Sequence, residues 1–281
     1  MREKQLLMEQ IGNGIVPVGM QCFTGNHALI ETMGAAGFDY VWLDSEHSAI
    51  DPRALEDTMR TCEVAGLSAL VRIPDPRDLT SARRSLEAGA EGVIVPMVRT
   101  AQDVRDVIDA LTFPPAGSRG LCPGLRVPGY TVTGFNDYMR ASDESVLVIP
   151  MIETAEALEN IEEIFALEQV HLTVFAMGEL SFAMGEGPYS PANPRIRAAQ
   201  ERVHAAAAAA GVGIIGGHIF APTADDLLAA LDDGVVAFCV GIDVMAFRML
   251  CEDLVATADA AVARSPHHRR PAAPASGFPR R

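Results

Sequence analysis

Short apolar runs of strand length recur eight times along this chain, and each is separated from the next by a segment with helical spacing and helical caps. Strands are expected over Ile15–Phe23, Phe38–Asp44, Ser68–Ile73, Gly92–Val98, Val146–Ile152, Leu172–Met177, Gly213–Gly217 and Val235–Val240. Helices are expected over Ala28–Ala36, Pro52–Ala65, Asp78–Ala88, Ala101–Leu111, Ala155–Leu167, Asn193–Ala210, Thr223–Leu231 and Asp243–Ala263. The runs are continuously apolar, as suits strands of a parallel sheet buried on both faces. Eight such strand–helix units in roughly 260 residues have the size and order of an α/β fold of the (β/α)8 barrel type. A doubly wound open sheet is the competitor, but no G-x-G-x-x-G follows the first run, so a dinucleotide site has no support. Residues 1–264 are expected to form one barrel domain, and the proline-rich basic stretch 265–281 a disordered tail.

The second run, FDYVWLDSEH (Phe38–His47), passes abruptly from apolar residues to Asp44, Ser45, Glu46 and His47. In parallel α/β folds the C-terminal ends of the strands are where chemistry collects. The plainer alternative is a polar loop in which Ser45 or Asp51 caps the next helix. Arg72 ends the third run, Glu153 follows the fifth, Glu179 and Ser181 follow the sixth, His218 the seventh and Asp243 the eighth. Glu153 and Glu179, on adjacent strand ends, could share one hard divalent cation; each alone is also an ordinary acid at a helix N-terminus. Arg72 is either an oxyanion contact or half of an ion pair with Asp44 or Glu46. The long connection Thr112–Ser145 is expected to shape a substrate pocket, with Arg119 and Arg126 as anion contacts or solvated surface groups.

Composition removes several mechanisms. The only lysine, Lys4, precedes the first run, whereas Schiff-base and pyridoxal chemistry needs an amine inside the site. A net charge of −15 argues against nucleic acid and anionic membranes as partners. No run reaches the ~18 apolar residues of a membrane span. The first residues lack the apolar stretch of a secretory leader, and the five cysteines are scattered without a CxxC pair. The expected location is cytoplasmic.

The segments GAAGFDYVWLDSEH, VRIP, LEAGAEGVIVPMV, FPPAGSRG, the IET of PMIET, GELSFAMG and VGID together make the chain resemble the HpcH/HpaI aldolase family. The resemblance runs from about Gly19 to Ala263. The family comprises metal-dependent class II pyruvate aldolases with a (β/α)8 barrel, typically hexameric, with the last helix exchanged between subunits. The resemblance implies His47 as acid/base assisted by Asp44, Arg72 on the keto oxygen, and Glu153 and Glu179 as ligands of Mg, Mn or Co. It implies carboxylate binding by the backbone of Gly178 and Glu179, and puts Glu87 where a neighbouring subunit contributes an acid. Neither a nicotinamide nor a pyridoxal cofactor is expected. The substrates implied are a keto acid, pyruvate or oxaloacetate, and an aldehyde or keto acceptor.

The chain departs from the family pattern where metal and acceptor sit. Glu179 replaces the usual Asp, a proline is missing from AMGELS, Met151 replaces a glutamine and Gln21 an aromatic residue. His218 and Phe220 give the end of the seventh strand an unusual lining, and Ser181 joins the substrate-facing set. The reading is a carbon–carbon lyase that makes or cleaves a bond to a pyruvate enolate. The alternatives are a condensing synthase or decarboxylase acting on oxaloacetate in a specialised biosynthetic pathway, and a barrel that binds a keto acid without turnover.

Overall fold

The structure is a computed structural model that describes residues 6–216 and 221–271. Eight parallel strands close into a barrel in sequence order: β1 Val18–Cys22, β2 Tyr40–Asp44, β3 Ser68–Arg72, β4 Gly92–Val95, β5 Leu147–Ile152, β6 Leu172–Phe175, β7 Gly213–Gly216 and β8 Val235–Ile242. The helices are α1 Leu7–Gly12, α2 His27–Ala36, α3 Pro52–Ala65, α4 Leu79–Ala88, α5 Ala101–Leu111, α6 Phe135–Glu144, α7 Ala155–Glu159, α8 Ile161–Phe165, α9 Met177–Ala183, α10 Pro194–Ala210, α11 Ala224–Asp232 and α12 Asp243–Ala263. The (β/α)8 expectation therefore holds, down to the shared bounds of α3, α5 and α12.

Strand alternation divides the interior into two layers. Tyr40, Trp42, Leu70, Ile94, Leu147, Ile149, Met151, Leu172, Val174, Ile215, Ala237 and Cys239 pack together inside the barrel. Val41, Leu43, Ala69 and Val71, on the opposite faces of β2 and β3, pack with Leu55, Met59 and Cys62 of α3. Gly19 makes room for the Tyr40 ring. A Cβ there would lie 2.2 Å from the ring, whose hydroxyl donates to the Phe238 carbonyl of β8 at 2.8 Å. The end of the barrel where the strands begin is plugged by α1, which was not anticipated. Its Leu7 is fully buried in the inner layer and donates its N–H to Glu91 at 2.7 Å.

Several boundaries differ from expectation for local reasons. The fourth strand stops at Val95, immediately before Pro96. The expected helix Ala155–Leu167 is two helices that meet at Asn160, whose side-chain N–H groups donate to the carbonyls of Glu156 and Arg99. The sixth strand gives way to α9 at Met177.

The long connection is placed differently from the sequence expectation. It follows α5 and precedes β5, so it lies at the end where strands begin, opposite Asp44 and Glu153. It cannot wall the mouth of its own barrel. Arg119 is buried inside it: the guanidinium donates to Ser142 Oγ at 3.0 Å and Tyr138 OH at 3.1 Å and lies 4.5 Å from the centre of the Phe113 ring. Arg126 pairs with Glu63 at 2.8 Å and donates to the Ala88 carbonyl at the end of α4. Both arginines hold the connection in place; neither is a free anion contact nor a merely solvated group.

The chain divides into two compact units, Met1–Asp243 and Val244–Arg281. In the second unit, α12 carries exposed Val244, Met245, Phe247, Leu250, Leu254 and Val255, and none of its residues after Asp243 is buried. Among the described residues no helix is long and apolar enough to cross a membrane.

Candidate active site

The pairing of β2 with β3 sets Asp44 directly beside Arg72 at the C-terminal ends of both strands. Their side chains point into the barrel mouth because Trp42 and Leu70, two residues earlier on each strand, belong to the inner layer. Asp44 is completely buried and Arg72 nearly so. One guanidinium nitrogen, Nη2, donates to Asp44 Oδ2; the other, Nη1, lies 3.0 Å from Glu46 Oε2. The guanidinium carbon sits 5.7 Å from the centre of the Trp42 ring. Of the two readings open for Arg72, an ion pair is present, and it engages both acids at once.

Asp44 also shapes the loop that carries the imidazole. Its Oδ1 accepts the backbone N–H groups of Glu46 at 2.9 Å and His47 at 2.8 Å, and Ser48 Oγ donates to its carbonyl. The His47 ring is more than half exposed, with Nε2 3.5 Å from Glu46 Oε2. Asp44 therefore supports His47 through the backbone, while the carboxylate against the ring is that of Glu46. The sequence reading placed Asp44 in that role and gave Glu46 only an ion-pair option.

Glu153 emerges from β5 on the same inward face as Met151. It is buried and accepts the Met97 N–H at 2.5 Å. Met97 has a left-handed backbone, φ 51°, which turns the chain where β4 ends. Burial, followed by the negative charges of Glu46 and Glu179, pushes the Glu153 carboxyl up to about 7; the Met97 N–H and Arg72 oppose this. Burial also raises the Glu46 carboxyl, against the pull of Arg72 and His47. Glu179 is exposed in the first turn of α9, and its charge acts on both Glu46 and Glu153. The three glutamates thus form one mutually repelling group at the mouth. Among the described residues no three His, Cys, Asp or Glu side chains converge into a ready-made metal cage.

The other expected residues are distributed as follows. Gln21 on β1 is buried, two residues beyond inward-facing Gly19 and paired with Trp42 in register. Gly178 is the second residue of α9, whose first turn has no side-chain cap. Ser181 is fully buried, with a hydroxyl that finds no partner among the described residues. His218 and Phe220 lie outside the described residues. Asp243 is a latch: it accepts from Phe23 N at 3.0 Å, Thr24 N at 3.1 Å and Thr24 Oγ1 at 2.5 Å, tying the end of β8 to the loop after β1. Glu87 is not brought into the cluster within one chain. It stands near the C-terminus of α4, beside Arg83 at 3.7 Å, at the strand-start end of the barrel. Trp42, whose buried indole N–H has no partner among the described residues, was not singled out from sequence because it reads as one more apolar strand residue.

Residues 19–249 match the family model described as HpcH/HpaI aldolase/citrate lyase. A 2-dehydro-3,6-dideoxy-6-sulfogluconate aldolase of Pseudomonas putida is 32% identical over 203 residues, 72% of this chain and 78% of that protein. A 4-hydroxy-2-oxovalerate aldolase of Rhodococcus jostii is 31% identical over 241 residues, 83% of this chain and 88% of that protein. The crystal structure of an HpcH/HpaI aldolase from Desulfitobacterium hafniense superposes with a TM-score of 0.83 at 26% identity, covering 94% of this chain and 99% of that one.

Proposed function

The chain belongs to the HpcH/HpaI aldolase/citrate lyase family, and from that premise we propose that His47 and Arg72 carry out the cleavage or formation of a carbon–carbon bond to C3 of a pyruvate unit. The enzyme is a carbon–carbon lyase of the class II pyruvate type, as its aldolase relatives are. This sets aside the reading of a barrel that only binds. The observation that carries the residue assignment is the double engagement of Arg72, whose buried guanidinium is fixed by Asp44 and Glu46 beside an exposed imidazole.

In the cleavage direction His47 accepts the proton of the C4 hydroxyl of a 4-hydroxy-2-oxo acid. The C3–C4 bond breaks, C4 leaves as the aldehyde, and the electron pair moves through C2 onto the keto oxygen. Arg72 stabilises that oxygen as it becomes negative, from a position held in advance. Protonation at C3 then yields pyruvate. The first-turn N–H groups of α9, at Gly178 and Glu179, have no acceptor within the helix and would receive the substrate carboxylate. Gln21, Met151, Ser181, His218 and Phe220 are proposed as the remaining substrate contacts.

The family uses a divalent cation, and the donors present suit one. Glu153 and Glu179 offer hard carboxylate oxygens of the kind Mg or Mn prefers, and a cation held by them would offset the burial and the neighbouring negative charges that raise Glu153. When bound, such an ion supplies Lewis-acid polarisation of the keto group.

A homohexamer is proposed as the working assembly. Glu87 could act only on the site of another copy, and the exposed apolar residues of α12 would be buried by exchange with one. A monomer by light scattering at micromolar concentration would refute this.

The assignment is tested by exchange of the pyruvate methyl protons in D2O with added Mg or Mn, followed by NMR. Wild type is expected to exchange, whereas His47→Ala binds Mn without exchanging. Exchange by His47→Ala within a few-fold of wild type would remove His47 from the mechanism.

A further inference from the structure

We propose that Gln21 and Trp42 form a hydrogen-bonding subsite for a hydroxyl group of the acceptor, so that the enzyme joins pyruvate to a neutral hydroxyaldehyde in preference to alkyl or anionic aldehydes. The inference deepens the proposed carbon–carbon lyase reaction and rests on it for the identity of the second substrate.

Three observations lead here. First, two neutral hydrogen-bonding groups stand side by side without partners. Gln21 and Trp42 are register partners on β1 and β2, and neighbouring strands lie about 4.8 Å apart. Both face the barrel interior, since Met20 and Cys22 pack with the outer layer and Trp42 belongs to the inner one. Trp42 is 2% exposed and Gln21 7%. Among the described residues the indole N–H finds no acceptor and the Gln21 amide makes no hydrogen bond. Buried polar groups are normally paired, so two such groups together point to a ligand. Second, the neighbouring wall is built of small side chains. β8 buries Ala237 and Cys239 in the inner layer, and β1 has Gly19 below Gln21. Third, the Trp42 ring centre lies 5.7 Å from the Arg72 guanidinium carbon. The pair therefore stands against the group proposed to hold the keto oxygen.

The surrounding charges select the class of acceptor. Arg72 is already matched by both Asp44 and Glu46, and Glu153 and Glu179 add negative charge across the mouth. Even with a divalent cation on the two glutamates, the surplus acid beside Arg72 and the pyruvate carboxylate leave the site negative. An aldehyde carrying its own carboxylate would be repelled. A hydroxyl suits the pair, because the indole only donates while the amide can donate or accept. In the addition, C3 of pyruvate loses a proton and bonds to the aldehyde carbon, and the aldehyde oxygen gains a proton. With glycolaldehyde the product is 4,5-dihydroxy-2-oxopentanoate, and the acceptor's own hydroxyl is the group held by Gln21 and Trp42. An alkyl aldehyde leaves both groups unpaired, the condition under which a polar site rejects an analogue lacking the hydroxyl.

The test uses the full chain with Mg and pyruvate. It compares glycolaldehyde with propionaldehyde, which replaces the hydroxyl by a methyl group, and with glyoxylate as an anionic aldehyde. For wild type, kcat/KM with glycolaldehyde is expected to exceed both others by at least about tenfold. In Gln21→Leu and in Trp42→Phe the glycolaldehyde-to-propionaldehyde ratio is expected to fall about three- to tenfold, the worth of one neutral hydrogen bond. Trp42 is the only tryptophan, so its indole N–H gives a single NMR signal that needs no assignment. With Mg and oxalate, an unreactive planar stand-in for the enolate, that signal in wild type is expected to move with glycolaldehyde and stay with propionaldehyde. This titration decides the matter where a variant does not fold. A wild-type preference for propionaldehyde or glyoxylate overturns the proposal, as does a ratio unmoved in either variant. An indole signal blind to glycolaldehyde, or moved equally by propionaldehyde, overturns it too. If wild type exchanges no pyruvate protons while the signal answers to glycolaldehyde alone, the lyase reading fails and the subsite stands.

Discussion

Asp44 and Arg72 are register partners on β2 and β3, and the Arg72 guanidinium closes on the buried Asp44 carboxylate at the mouth of the barrel. Arg72→Ala leaves that carboxylate buried without its partner, which for buried pairs costs about 3–5 kcal/mol. Arg72→Lys should recover little, because one ammonium cannot meet Asp44 and Glu46 through two separate nitrogens. Urea unfolding measures both variants. A loss under about 1 kcal/mol for Arg72→Ala would place the pair with weak surface bridges.

Glu153 makes the metal-free enzyme sensitive to pH. Its carboxyl is raised from 4.5 to about 7 in the fold, so between those values the folded chain holds a proton that the unfolded chain has released. The contribution of Glu153 to stability is therefore greatest below the lower value and declines as pH rises through about 7. Glu153→Gln removes this decline, and the metal-free variant is expected to melt above wild type at alkaline pH while binding Mn more weakly. Melting profiles of the EDTA-treated proteins that run parallel from acid to alkaline pH would contradict the account.

Glu179 is exposed at the start of α9 and one methylene longer than an aspartate. Glu179→Ala is expected to lower Mn affinity by at least about tenfold, a drop on the scale of altered metal-site partners. Glu179→Asp should retain part of it. Calorimetric titration with Mn tests this, and equal affinities in all three proteins would remove Glu179 from the metal site.

Gly19→Ala forces a Cβ into the Tyr40 ring, 2.2 Å away, while the Tyr40 hydroxyl is anchored on β8. Overpacking of this kind costs about 1–3 kcal/mol. A thermal midpoint equal to wild type would mean that the ring moves aside freely.

Arg119 is buried among Phe113, Tyr138 and Ser142, far along the chain from the Asp44–His47 loop and at the other end of the barrel. Arg119→Met is expected to lower the melting temperature and leave kcat for pyruvate exchange unchanged. A selective loss of kcat with normal stability would return Arg119 to the catalytic machinery.

Much of this protein was readable from residues in order. Continuous apolar runs and helical caps determined a parallel barrel, because side-chain period and chain length leave few other ways to bury eight such strands. The acids at strand ends were equally legible, since a parallel barrel sends every strand C-terminus to one mouth. What the linear chain could not decide was which charged group meets which. Asp44, Glu46 and His47 lie within four positions of one another, and nothing in their order says which carboxylate faces the ring and which turns inward. Strand register decided it. Pairing Asp44 with Arg72 committed that carboxylate to the guanidinium and to the loop backbone, and left Glu46 between the guanidinium and the imidazole. The long connection is a different case, since its place was already legible in the predicted order of helix and strand. Its length and composition suggested a substrate loop, but its place after a helix and before a strand carries it to the far end of the barrel. Contacts between charges depend on the direction and spacing of neighbouring backbones, and only the closed sheet supplies those.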